Sequence, residues 1–197
     1  MKTIGPVDEL PWPGTPRRAQ QATVEQQDAR VGDTPRGEVA VDAIDSRAAH
    51  AAALRGLLEE AAREGSAELW MCDRDFADWP LGERGFVAAL EAWVHSRRRL
   101  TLLAADFGAL ALRAPRWHAW RRTWSHAVQC LQVHEELAGR VPSLMFVPGL
   151  AAVRLYDAER VRGRVHREPA ELVACREACD ALMQRAEESL PVTTLGL

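Results

Sequence analysis

The chain has 197 residues, 47% of them hydrophobic and 27% charged, with a formal net charge of −3. That apolar fraction is enough for one domain with a sizeable core plus an appendage, and the slight negative balance excludes a generally basic nucleic-acid binder while leaving room for a local basic patch. No stretch approaches eighteen consecutive apolar residues, so no membrane span is expected.

Residues 1–6 offer one Lys and then Gly5-Pro6 without an apolar core, so no secretory signal is expected either. Pro6, Pro11, Pro13, Pro16 and Pro35, with Gly5, Gly14, Gly32 and Gly37, punctuate residues 1–42, and charged residues and Gln fill most of the rest. Such a segment cannot bury enough apolar surface to offset its ordering entropy and is predicted to be a disordered tail. Its single apolar spot, Leu10-Pro11-Trp12-Pro13, reads as an incidental exposed aromatic or as a docking peptide.

A folded domain is predicted over 43–197. Asp45 or Ser46 can cap a helix carrying Ala49, Ala53, Leu54, Leu57, Leu58 and Ala61, closed by Gly65. Ala67-Glu68-Leu69-Trp70-Met71-Cys72 reads as a first buried strand. A second amphipathic helix over 83–95 places Phe86, Leu90, Trp93 and Val94 on one side. Residues 100–105 follow Arg97-Arg98-Arg99 as a second strand. Helical pattern resumes at Phe107, breaks at Pro115 and continues to about Ser125, and 128–133 form a third strand. Residues 143–147 and 151–156 flank Pro148-Gly149 as an antiparallel hairpin. A last helix opens at Pro169 and is expected to run to about Ser189, with Leu172, Cys175, Cys179, Leu182 and Ala186 on its apolar stripe.

This alternation predicts an α/β fold: a mostly parallel sheet with helices on both faces and a C-terminal hairpin. Ligands on such sheets usually bind beyond the carboxyl ends of the strands.

The layout from about Asp45 to Ser189 resembles one half of the phospholipase D-like superfamily, whose catalytic motif is His-x-Lys-x-x-x-x-Asp. Leu150-Ala151-Ala152-Val153-Arg154-Leu155-Tyr156-Asp157 has the length, the apolar texture and the terminal Asp of that motif. Leu150 stands at the His position and Ala152 at the Lys position, so the resemblance implies a degenerate site without its nucleophile. It also allows a homodimer, because halves of that family pair to complete a cleft. The segments 75–82 and 115–126 are similar to those of an uncharacterised proteobacterial family.

Two constellations are candidates for binding. Trp117, Trp120 and Trp124 fall on one helical face, with Arg113, Arg116, Arg121, Arg122 and His126 around it. A basic aromatic helix can grip phosphate or stack bases, whereas the purely architectural alternative buries the Trp stripe and leaves the Arg residues solvated or paired with acids. Asp73, Asp75 and Asp78 follow the first strand and Asp106 the second. Strand-end carboxylates can ligate Mg²⁺ with a bridging phosphate, or simply cap helices and pair with arginines. The Asp-x-Asp is also similar to that of haloacid-dehalogenase-like phosphatases, but no Thr follows at the required position.

Cys72, Cys130, Cys175 and Cys179 all lie in apolar patterns, which predicts free buried thiols and a cytoplasmic protein. Cys175 and Cys179, four apart, could supply two zinc ligands, but core packing is the simpler expectation. No phosphate loop, nucleophile elbow or His-Glu-x-x-His is present. The expectation is therefore a non-catalytic binding or regulatory module without cofactor or metal, whose partner is a phosphate-containing ligand or a protein. The alternative is a phosphoryl-transfer or phosphodiester-hydrolase variant using the strand-end Asp residues and the Arg cluster.

Overall fold

A computed structural model describes residues 43–95 and 97–190. The tail expected over 1–42, with its Trp12 spot, and the terminal Thr193-Thr194-Leu195-Gly196-Leu197 lie outside the described residues.

The helices and strands follow in the order β1 (Ala43–Ile44), α1 (Arg47–Arg63), β2 (Glu68–Asp73), α2 (Arg84–Trp93), β3 (Arg99–Ala104), α3 (Leu110–Arg113), α4 (Pro115–Thr123), β4 (Val128–Val133), β5 (Ser143–Val147), β6 (Ala151–Asp157), β7 (Arg162–His166), α5 (Pro169–Met183) and β8 (Ala186–Glu188). Local signals place most of them. The Ser46 hydroxyl accepts the Ala49 backbone N–H at 3.2 Å and caps α1. Pro115 opens α4 and Pro169 opens α5, each in the first turn where a missing N–H costs nothing. Gly149 has φ +74° after Pro148, and Leu150 N–H donates to the Val147 carbonyl at 3.1 Å, so Pro-Gly makes the β5–β6 turn.

The eight strands form one sheet in the order β1-β7-β6-β5-β2-β3-β4-β8. Only β2–β3 and β3–β4 are parallel; β1–β7, β7–β6, β6–β5, β5–β2 and β4–β8 are antiparallel. The expectation of a mostly parallel sheet is thus wrong, and the phospholipase D-like half built on it falls with it. The reason lies in the connections. Parallel neighbours need a crossover helix, which α2 and the α3–α4 pair supply. After β4 the strands β5, β6 and β7 follow one another through short turns, which admit only antiparallel pairing. Three strands not foreseen, β1, β7 and β8, each add further antiparallel partners.

The C-terminal helix also ends earlier than its pattern suggested. It stops at Met183, and Ala186 belongs to β8, which pairs with β4 through Leu131, Gln132 and Val133.

Two apolar layers flank the sheet. On one face, Leu54 and Leu58 of α1, Phe86 and Trp93 of α2 and Trp117 of α4 pack over Leu69, Met71, Leu100 and Leu102. On the other, Leu172, Cys175, Cys179 and Leu182 of α5 pack over Trp70, Cys72, Leu103 and Phe146. β2 and β3 are buried from their second residue onward because both of their faces are covered. α5 lies over β4, β5, β6 and β8.

Candidate functional site

At the carboxyl end of β2 the chain turns sharply, and Asp73 holds the turn. Its Oδ1 accepts the backbone N–H groups of Asp75 (3.1 Å) and Phe76 (2.9 Å), and its Oδ2 accepts the Trp79 indole N–H at 2.9 Å. The residue is 9% exposed, and Phe76 is held at φ 57°, a left-handed conformation that this acceptor helps fix. Asp75 accepts the Ala77 N–H at 2.9 Å and pairs with Arg113 at 3.4 Å. Asp106 accepts the Gly108 N–H at 2.7 Å, and Asp78 pairs with Arg47 at 2.9 Å. His50 packs edge-on against Trp79 with ring centroids 5.8 Å apart, and burial lowers its pKa below the ordinary 6.5 against the opposing pull of Asp73 and Asp78.

A cleft of about 300 Å³ opens here between the β2 end, the start of β5 and the end of β6. Of the residues singled out from sequence, Asp73, Asp75 and Asp78 line it; Asp106, the four arginines and His126 do not. Among the described residues no group of three or more His, Cys, Asp or Glu side chains is disposed to hold a metal ion.

The aromatic stripe of α4 turns inward: Trp117 and Trp120 are buried, and half-buried Trp124 donates its indole N–H to Glu91 at 2.8 Å. The arginines do not form the solvated row that helical spacing suggested. Arg121 is 3% exposed and donates to the Leu190 carbonyl, contrary to its expected exposure. Residues 117, 120, 121 and 124 share the i, i+3, i+4, i+7 spacing of an inward face, so Arg121 lies on the Trp side of the helix. Arg116 donates to the Gly82 carbonyl at 3.1 Å, and Arg113 is committed to Asp75. Arg122 and His126 are exposed, His126 leaning on Trp124 at 5.8 Å.

Asp157, the surviving residue of the degenerate motif, caps the β6–β7 turn by accepting the Arg160 N–H at 3.0 Å and pairing with its guanidinium at 3.6 Å. All four cysteines are free and buried, with Cys72 and Cys179 sulfurs 3.5 Å apart. Burial pushes the Cys130 and Cys175 thiols up to about 11, which favours their protonated form at neutral pH.

A second basic region was not foreseen. On β6, Ala151, Val153 and Leu155 face the α1 layer, while Ala152 packs under α5, so Arg154 and Tyr156 alternate toward the α5 side. On β7, Arg164 stands directly opposite Arg154, and His166 opposite Ala152. Arg154, Arg162, Arg164, Tyr156 and His166 therefore share one face, on which Arg154 and His166 are covered in part or whole beside α5 and Arg162, Arg164 and Tyr156 are exposed. Tyr156 occupies a register break between Leu155 and Asp157 and is 53% exposed. Arg154 lies 5.1 Å from its ring centroid, and its hydroxyl hydrogen-bonds His166 Nε2. His166 is buried and its Nδ1 lies 3.9 Å from Glu171 of α5; burial lowers its pKa. Gly163 makes the strand approach feasible, since a Cβ there would sit 2.2 Å from the Arg154 carbonyl oxygen. The signal in the sequence is the period-two run Arg162-Gly163-Arg164-Val165-His166.

No protein-family model and no curated protein matches the chain. Among solved structures it is similar to TrmBL2, described as an archaeal chromatin protein with a novel mode of DNA binding, at a TM-score of 0.52 and 13% sequence identity, over 79% of this chain and 57% of that one. The chain thus spans little more than half of that neighbour, and the likeness concerns the fold alone. Nothing in these comparisons points to a phospholipase D-like protein.

Proposed function

We propose that the domain is a non-catalytic binding module for a phosphate-bearing ligand. The observation that carries the non-catalytic part is the bonding of Asp73. Both of its oxygens are occupied by N–H groups of its own turn, an arrangement that shapes a loop rather than activating water or holding a cation. Asp75, Asp78 and Asp106 are likewise engaged in turn hydrogen bonds or ion pairs.

The phosphate-bearing part rests on charge. A chain of net charge −3 nonetheless gathers three arginines on one side of a two-strand segment. The DNA binding named for its fold neighbour is in keeping with a polyanionic ligand. The test is an assay of the full-length protein against bis-p-nitrophenyl phosphate and single-stranded DNA, with and without Mg²⁺. No turnover is expected. Turnover that survives repurification and is lost in Asp75→Asn, which leaves the buried Asp73 bonds in place, would establish an enzyme instead.

A further inference from the structure

We infer that Cys72 of β2 and Cys179 of α5 are a redox-sensitive staple, which a small hydroperoxide closes into a disulfide that ties the last helix to the sheet.

Geometry supplies the first argument. The two sulfurs lie 3.5 Å apart although 107 positions separate the residues in sequence. Reacting atoms held about 3–3.5 Å apart are already in near-attack range, and closing to a bond of about 2.0 Å asks for a movement of roughly 1.5 Å. Cys72 does not supply that movement, because at this position β2 is paired on both sides, to Leu103 of β3 and to Leu144 of β5. The helix can. α5 is anchored through one buried stripe, Leu172, Cys175, Cys179 and Leu182, and its first residue, Glu168, makes no side-chain cap hydrogen bond. Its outer ion pairs, Arg176 with Glu68 at 3.5 Å and with Asp180 at 3.6 Å, are half-exposed and hold it weakly.

The surroundings supply the second. Cys130 lies in the opposite apolar layer, across the sheet, so it cannot compete for either sulfur. Cys175 shares α5 with Cys179, and a bond between them would have to form inside one turn of an intact helix. Cys72 is thus the partner already in contact with Cys179.

The chemistry sets the tempo. Cys72 is 1% exposed and Cys179 0%, and the hydrogen bond between the thiols, with burial, raises the Cys72 pKa, so the resting pair is protonated and slow to react. Opening of α5 admits the peroxide. One sulfur gives up its proton and attacks a peroxide oxygen; the O–O bond breaks, leaving a sulfenic acid and one water. When the helix recloses, the second sulfur attacks the first. The S–S bond forms, the S–O bond breaks, and the oxygen leaves as water with the second thiol's proton. Two thiols have lost two electrons and two protons, and one peroxide has become two waters. The closed staple spans a long loop, which restricts the unfolded chain and raises stability.

The test exposes the full chain, folded in buffer, to hydrogen peroxide in modest excess, then unfolds it in N-ethylmaleimide and maps the peptides by mass spectrometry. The expected product is one intramolecular link between the Cys72 and Cys179 peptides, with Cys130 still alkylated. The oxidised protein is expected to melt roughly 10 °C above the reduced one, and dithiothreitol to reverse the shift. Cys175→Ala should keep the link and Cys179→Ala lose it; the wild-type map decides the case even where a variant fails to fold. A folded wild type that forms no link, or that joins Cys175 to Cys179 instead, overturns the staple. A Cys72–Cys179 link that leaves the thermal midpoint unchanged or lowers it overturns its role in tying the helix to the sheet.

Discussion

The strand-end acids and the β6–β7 arginines are both clusters of like charge on one sheet, yet they differ in what their polar atoms do. Around β2 each carboxylate is spent on the chain itself: Asp73 on three N–H donors, Asp75 and Asp106 on turn amides, Asp78 on Arg47. On β6–β7, Arg154 and Arg164 face each other across the ladder, Arg154 half-buried beside α5 and Arg164 exposed. Charge satisfied internally builds a loop, whereas Arg162 and Arg164 of β7 stay exposed at the surface. The Arg helix falls between the two, with Arg121 drawn inward and Arg113 and Arg116 bonded to neighbouring loops.

The sharpest way to break this contrast is through α4. Trp117→Ala is expected to cost about 3–5 kcal/mol, because the ring is fully buried among α2 and sheet side chains. Arg121→Ala should cost about 1.5–3 kcal/mol for removal of a charged hydrogen bond in the interior, while Arg122→Ala stays within about 0.5 kcal/mol, both read from urea unfolding. Equal, small effects for the two arginines would show that Arg121 is not an inward residue.

Asp73→Asn should cost about 1–3 kcal/mol, since an amide cannot accept from backbone and indole N–H groups at both ends. An unchanged thermal midpoint would mean that the strand-end acids are not spent on the fold. Gly163→Ala should cost about 1–3 kcal/mol by forcing β6 and β7 apart, and should weaken any ligand of that face along with stability.

Acid supplies a smaller effect. Burial holds His50 and His166 below the 6.5 of a free histidine, so the unfolded chain takes up protons first as pH falls. Their contribution to stability is present above 6.5 and is lost on going down from 6.5 toward the folded-state pKa values. The thermal midpoint should therefore decline from pH 7 to pH 5.5, and His50→Gln should decline less steeply than the wild type. A steeper decline in the variant would contradict the assignment of His50 as a buried neutral group.

How much of this was legible in the sequence follows from the range of each signal. Helix starts at Ser46, Pro115 and Pro169, the Pro148-Gly149 turn and the buried strands 68–73, 99–104 and 128–133 were carried by local residues and spacing. Pairing direction was not local. It depended on β7 and β8, whose Arg162-Gly163-Arg164 and Ala186-Glu187-Glu188 lack the apolar texture of a strand and are recruited by neighbours already in the sheet. The same polar texture hid the β6–β7 face, because alternation of Arg with Gly and Val marks a strand only once its partner is known. Arg121 was misplaced because its type suggests solvent while its position, four residues from Trp117, puts it on the buried side.

The central claim, that the exposed arginines of β7 and not those of α4 meet the phosphate-bearing ligand, is tested most directly by a paired salt titration of oligothymidylate binding. Arg116→Ala/Arg122→Ala and Arg162→Ala/Arg164→Ala remove the same charge from two different surfaces. The account predicts a wild-type salt slope for the α4 variant and, for the β7 variant, a slope shallower by about 0.7 per phosphate no longer neutralised. The reverse pattern, a shallower slope for the α4 variant and a wild-type slope for the β7 variant, would contradict it.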